Sequence, residues 1–161
     1  MNAADLQRFC ADKDHIRYYL CKPWSRGEYT YATNGYIMVF VKRLPGVEEN
    51  EQAPDCEVLI LKTLPGQEWM PVPVATMPPN VECHDCNGTG IRECNAGYEH
   101  DCGLCDHTGK IRSHSGMRIA GVSFDQGYLS MIQGWEIAPN DAKPAWIRNG
   151  DALGLLMPMR D

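Results

Sequence analysis

Cysteine is the residue type in this chain whose spacing best supports chemistry. Four of its eight cysteines fall in two C-x-x-C pairs, Cys83-His-Asp-Cys86 and Cys102-Gly-Leu-Cys105. Two such pairs a short way apart are the usual sequence form of a tetrahedral Zn(Cys)4 site. Two thiolates reach one metal when the chain folds sharply between them, and the two intervening positions supply that knuckle. Small turn-forming residues follow each pair, and glycine there permits left-handed backbone that turns amides toward the sulfurs. Disulfides are the rival reading. The chain opens MNAADLQRFCADKD, without the apolar core of a signal peptide, and in a reducing compartment cysteines so spaced bind metal more often than they cross-link. Cys94, His84, His100 and His107 lie in the same stretch and read as solvated loop. His100 or His107 in place of one cysteine is the main alternative ligand set.

Catalytic motifs are missing from the sequence. It has no G-x-S-x-G, no H-E-x-x-H and no phosphate-binding G-x-x-x-x-G-K. Cys83-His-Asp-Cys86 matches the second half of the zinc-deaminase signature, but no H-x-E precedes it. Four cysteines on one zinc leave no open position for water, so such a zinc is structural. His84-Asp85, His100-Asp101 and Asp106-His107 are adjacent pairs on loops and read as solvated turns, not as a base with its orienting group. The expectation is a protein that is not an enzyme.

C-x-x-C-x-G-x-G is also the repeat of the DnaJ-type cysteine-rich module, which the stretch Cys83–Gly109 resembles. Cys83 to Gly90 matches one copy in full, and Cys102 to Gly109 departs by His107 in place of the first glycine. The two middle copies are absent or reduced to Cys94. The resemblance therefore implies one Zn2+, held by Cys83, Cys86, Cys102 and Cys105. No J domain or H-P-D tripeptide accompanies it, so it implies a metal knot and no co-chaperone role.

The rest of the chain must position that knot. With 161 residues and 43% hydrophobic content, it is one domain or one domain carrying an insert, and no run approaches transmembrane length. The formal charge of −6 argues against a generic nucleic-acid binder, whose affinity comes mainly from neutralising phosphates. The metal stretch is acidic as well: Glu82, Asp85, Glu93, Glu99, Asp101 and Asp106 face Arg92, Lys110 and Arg112. Cys10, Cys21 and Cys56 lie in helix or strand contexts and read as buried.

Residues 3–10 predict a short amphipathic helix that presents Leu6, Phe9 and Cys10 on one face. Alternation predicts a strand over 15–21, and 22–27 reads as a turn. Strands follow over 28–33 and 36–42 around the hairpin signal Asn34-Gly35, the second of them buried on both faces. Residues 44–80 are punctuated by proline, with a strand over 57–61. A strand over 110–122 leads back from the insert. Ser123-Phe-Asp-Gln126 is an S-x-x-Q capping box that starts a second helix at Ser123. Strands over 135–138, 144–148 and 152–157 complete the chain, the last two around Asn149-Gly150. Helix, strand, strand, Asn-Gly, strand thus occurs twice.

That duplicated order, with three local matches, resembles the half-domain plan of DNA polymerase sliding clamps. Val122-Ser-Phe-Asp-Gln-Gly-Tyr128-Leu129 is similar to a clamp helix start. Leu155-Leu-Met157-Pro158-Met159-Arg160 is similar to the terminal M-P-M-R, and Tyr31-Ala-Thr-Asn-Gly-Tyr36 to the clamp hairpin. The resemblance implies an α+β fold: one clamp-like domain of two helix-plus-strands halves, with the zinc module inserted between them. The organisation expected is 1–80 for the first half and proline-rich linker, 81–112 for the module and 113–161 for the second half. Small phage and prophage proteins look similar, so a phage origin is expected. Met157, Pro158, Met159 and Arg160 would then border a hydrophobic cleft for peptides of a partner protein. The function expected is a non-enzymatic, cytoplasmic zinc protein that binds host replication or defence machinery through a clamp-like or acidic surface. Homo-oligomers are compatible with it. A DNA-associated oligomeric clamp or replication accessory is the alternative.

Overall fold

The computed structural model describes residues 1–12, 17–57, 60, 68–94, 97–141 and 143–159. Its centre is an antiparallel seven-stranded sheet. The strands are β1 (Trp24–Arg26), β2 (Tyr29–Thr33), β3 (Ile37–Lys42), β4 (Met70–Pro71), β11 (Glu136–Asn140), β12 (Lys143–Asn149) and β13 (Ala152–Leu156), in the order β1-β2-β3-β13-β12-β11-β4. Both faces are covered. Ile37, Val39 and Val41 of β3 enter one core with Ile137, Ala145, Ile147 and Leu156, while Met38 and Phe40 enter the other with Trp24, Tyr31, Trp146 and Leu155. This period-two split shows why β3 reads as continuously apolar: each side chain finds a packed layer whichever way it points.

The α+β plan of two helix-plus-strands halves is not what the chain adopts. The helices α1 (Ala3–Gln7) and α2 (Gln126–Met131) hold five and six residues, and the fold is mainly β. One continuous sheet replaces two halves because β3 and β13 are apolar on both faces and each needs a hydrogen-bonded neighbour at both edges. They pair with each other, Leu153 opposite Phe40 through Leu156 opposite Ile37. Gly154 permits the close approach, since a Cβ there would fall on the Met38 carbonyl oxygen.

Local expectations fail where a helical or capping alternative wins. The strand expected over 15–21 falls partly outside the described residues, and Tyr18–Leu20 form a 3-10 turn that tucks Leu20 into the core. Of the strand expected over 57–61, residues 58, 59 and 61 lie outside the described residues and Glu57 is helical. Residues 24–26, read as part of a turn, form β1 against β2. The return from the insert is three strands, β8 (Lys110–Arg112), β9 (Gly116–Ile119) and β10 (Val122–Asp125), with Ala120 and Gly121 at positive φ between the last two. Helix α2 starts three residues after Ser123. Asp125 is its N-cap, accepting from the Gly127 amide at 2.8 Å and the Tyr128 amide at 3.3 Å.

Between β4 and β9 the chain makes an excursion, and β9 then pairs with β10 as a separate hairpin before β11 rejoins the large sheet. β5 (Asn80–Glu82) pairs with β8, and β6 (Ile91–Glu93) with β7 (Glu99–Asp101). The Ser113 amide donates to the Pro79 carbonyl at 3.3 Å, so the excursion closes where it opened. After β13 the tail continues as a strap. The Met157 amide donates to Tyr36 O and the Met159 amide to Ser123 O, each at 2.8 Å. Among the described residues no helix is long and apolar enough to cross a membrane.

Candidate metal centre

Each cysteine pair sits between two short strands, the first between β5 and β6, the second between β7 and β8. The two knuckles repeat each other bond for bond. The Cys83 amide donates to Gly109 O and the Cys102 amide to Gly90 O, both at 2.9 Å. Gly88 N donates to Cys83 O at 3.1 Å and His107 N to Cys102 O at 3.2 Å. Thr89 N and Thr108 N donate to the carbonyls of Cys86 and Cys105 at 3.1 Å, and both threonine hydroxyls reinforce the same carbonyls. A Cβ on Gly90 would fall on the His107 carbonyl, whose carbon lies 2.8 Å from that position. A Cβ on Gly109 would meet Gly88 in the same way. The reciprocal contact brings the knuckles face to face and requires glycine at both positions.

The four sulfurs converge. Cys83, Cys86, Cys102 and Cys105 are buried, and their Sγ atoms all lie within 4.8 Å of one another. Cys83 Sγ is 3.8 Å from Cys102 Sγ, and Cys86 Sγ is 3.7 Å from Cys105 Sγ. Disulfide sulfurs stand about 2.05 Å apart, so these are free thiols gathered round a point. The cluster can hold a metal ion, and Ile111 packs against it as its apolar support. The Gly90 amide donates to Cys86 Sγ at 3.2 Å, placing a partial positive charge against a sulfur that must ionise to bind.

Cys86 and Cys105 do not titrate alike. Burial pushes Cys86 up, but the Gly90 amide and the Cys105, Cys83 and Cys102 thiols outweigh it and bring Cys86 down to about 7. Burial pushes Cys105 up to about 12; the Gly109 amide opposes the rise, and the shared hydrogen bonds to Cys102, Cys86 and Cys83 add to it. Cys86 thus gives up its proton readily while Cys105 holds on to its own, as coupled sites do. A bound cation takes the place of those protons.

The histidines and Cys94 of the stretch stand away from the cage, whereas the Asp85 carboxylate lies 3.8 Å from Cys102 Sγ. His84, His100, His107 and Cys94 are exposed, and among the described residues the metal-ligating cluster consists of the four cysteines alone. Asp85 is held at 2.8 Å by Arg92.

Comparison with protein-family models, curated proteins and solved structures finds no match to this chain. What the site can do rests on its own chemistry.

A second feature adjoins the module. Met157, Pro158 and Met159 line a cavity of about 660 Å³ together with Gly35, Tyr36, His114, Asp125 and Tyr128. Arg160 lies outside the described residues. Tyr36 and Met157 also line a cavity of about 270 Å³ that continues past Leu20, Met38, Pro144 and Leu155. Met157 is 41% exposed and Tyr36 62%. The Tyr36 and Tyr128 rings stack at 6.0 Å between centroids. Burial holds the Tyr128 phenol above its ordinary range, with Arg112 opposing.

The sequence reading missed the polar wall of this cavity. The Asp125 side chain is 7% exposed, paired with Arg112 and 2.8 Å from His114 Nδ1. The available signal was the Asp125 cap itself. Aspartate two residues before glycine opens a helix as well as Ser123 does, and a buried cap attracts basic partners.

Proposed function

We propose that this chain is a non-enzymatic protein-binding domain whose inserted loop is fixed by one structural zinc ion, and that it grips a short apolar segment of a partner protein beside the C-terminal strap. The observation that carries the reading is the lining of the larger cavity: two stacked tyrosines and the consecutive residues Met157, Pro158 and Met159. Methionine adapts its shape to varied ligands. Tyrosine supplies a rigid amphipathic surface of the kind enriched where proteins meet. The size falls within the range of about 300–1,000 Å³ usual for binding pockets.

Zinc is favoured for the cage because four thiolates about 2.3 Å from a tetrahedral zinc stand about 3.8 Å apart, in agreement with the separations of 3.8 and 3.7 Å. Iron takes the same ligand set, so the metal is read by elemental analysis of protein purified without added metal. One zinc per chain is the expected result. Four sulfur ligands complete the coordination and leave no position for a substrate, which supports a structural role.

The binding role is tested by passing a bacterial lysate over immobilised, zinc-loaded protein beside a Tyr36→Ala/Met157→Ala variant. A protein retained by the first and lost from the second supports the groove. Equal recovery on both overturns it.

A further inference from the structure

We propose that metal occupancy of the cysteine cage sets the shape of the groove, with Arg112 as the mechanical link; the inference rests on the reading of that groove as the binding site. The link begins at the cage. Gly109 closes the second knuckle, and the next three residues are β8, so the metal fixes where Arg112 stands. Without a metal little else would hold the module. Its strand pairs are three residues long, β5, β6 and β7 are wholly exposed, and Ile111 is the hydrophobic residue packed on the cysteines. Isolated two-stranded pairs of this size are marginal in water, and small metal modules fold with their metal.

Arg112 leaves the module and ends in the body. Its guanidinium pairs with Asp125 and lies 5.0 Å from the centre of the Tyr128 ring. It also occupies the space above Gly127, where a Cβ would stand 2.8 Å from Arg112 Nε. Asp125 in turn caps α2 through the Gly127 and Tyr128 amides and receives His114. His114, Asp125 and Tyr128 are the groove wall that faces the Met157–Met159 strap. From cage to groove the path is therefore β8, Arg112, then the capped first turn of α2, each step a direct contact. The two-state element is the module itself, ordered with metal and disordered without it, which gives the metal the differential affinity that a coupling requires.

The test compares zinc-loaded and chelator-stripped protein by amide exchange and by the methyl signals of isotope-labelled methionine. Stripping is expected to speed exchange of the Gly127 and Tyr128 amides at least tenfold and to shift the Met157 methyl, while the amides of β12 stay protected. Arg112→Lys keeps the charge but loses the planar fork. With zinc bound, that variant should reproduce much of the increase in exchange, and by reciprocity its zinc affinity should fall by a matching factor. Changes confined to 80–112 overturn the proposal, as does an Arg112→Lys protein indistinguishable from the original in both measurements. Complete loss of protection in β12 also overturns it, because the metal would then hold the whole sheet. All these signals belong to the protein alone, so a lysate that yields no partner defeats the binding role without touching this coupling.

Discussion

Gly90→Ala should loosen the metal far more than the same change seven residues later. The new Cβ falls on the His107 carbonyl, 2.8 Å from its carbon. Gly90 also sits at φ 80°, in the left-handed region, which costs an L-residue about 1–2 kcal/mol. Relieving the clash moves the Gly90 carbonyl away from the Cys102 amide, a 2.9 Å bond, at about 1 kcal/mol. Reduced freedom of the unfolded chain returns about 0.5 kcal/mol. The net is about 1.5–2.5 kcal/mol, or roughly a 10- to 70-fold loss of metal affinity. Gly97 has φ 79°, but its nearest neighbour for a Cβ is a Glu93 carboxylate oxygen at 3.7 Å. Gly97→Ala carries the left-handed cost alone, about 1 kcal/mol and roughly a fivefold loss. Chelator competition at fixed pH reads both, and Gly109→Ala should match Gly90→Ala because the knuckles mirror each other. Equal losses at Gly90 and Gly97 would refute the face-to-face contact as the reason for glycine.

His107 stands at φ 52°, where the first knuckle has Gly88, so His107→Gly should tighten zinc binding, by up to about 1 kcal/mol in the same competition assay. Asp125→Ala strips the cap and leaves the Arg112 guanidinium without its partner; about 3 kcal/mol of stability should disappear from the denaturant midpoint. In zinc-loaded protein at pH 8, an alkylating reagent should label exposed Cys94 and spare Cys10 and Cys56, whose thiols burial pushes up to about 12 and about 11. Those two thiols stay protonated in the folded protein while the unfolded chain ionises near 9. Their stability is full below pH 9 and is lost as the pH rises toward 11 and 12. Cys10→Ala should flatten part of that alkaline decline in unfolding midpoints.

Spacing made the cage legible: C-x-x-C pairs followed by glycine are a local signal, and a knuckle is a local structure. Asn34-Gly35 marked the β2–β3 connection for the same reason, with Gly35 at φ 92°. Non-local choices were hidden. Nothing in the alternation of β3 and β13 states that the two pair with each other, and that pairing turned two expected halves into one sheet. Residues 15–21 alternate as a strand would, yet a 3-10 turn buries Leu20 equally well. At the start of α2, Ser123 and Asp125 both offered a cap, and packing chose the aspartate that Arg112 and His114 could reach. Beyond the Asp125 cap, the cavity wall was hidden because His114 and Tyr128 meet Tyr36 across some eighty to ninety residues of chain.

The hydrogen bond from Ser113 to Pro79 has a consequence for how the chain folds. A disordered excursion of roughly 30 residues charges the body about 3 kcal/mol of closure entropy, plus a constant, before β9 can return. A knot that ties its own stem sets the two ends side by side in advance, so the sheet meets the insert as a short turn. A metal bound there would make a long interruption nearly weightless to the assembly of β3 against β13, and a sequence could elaborate the connection between β6 and β7 without slowing the closure of the sheet beneath it.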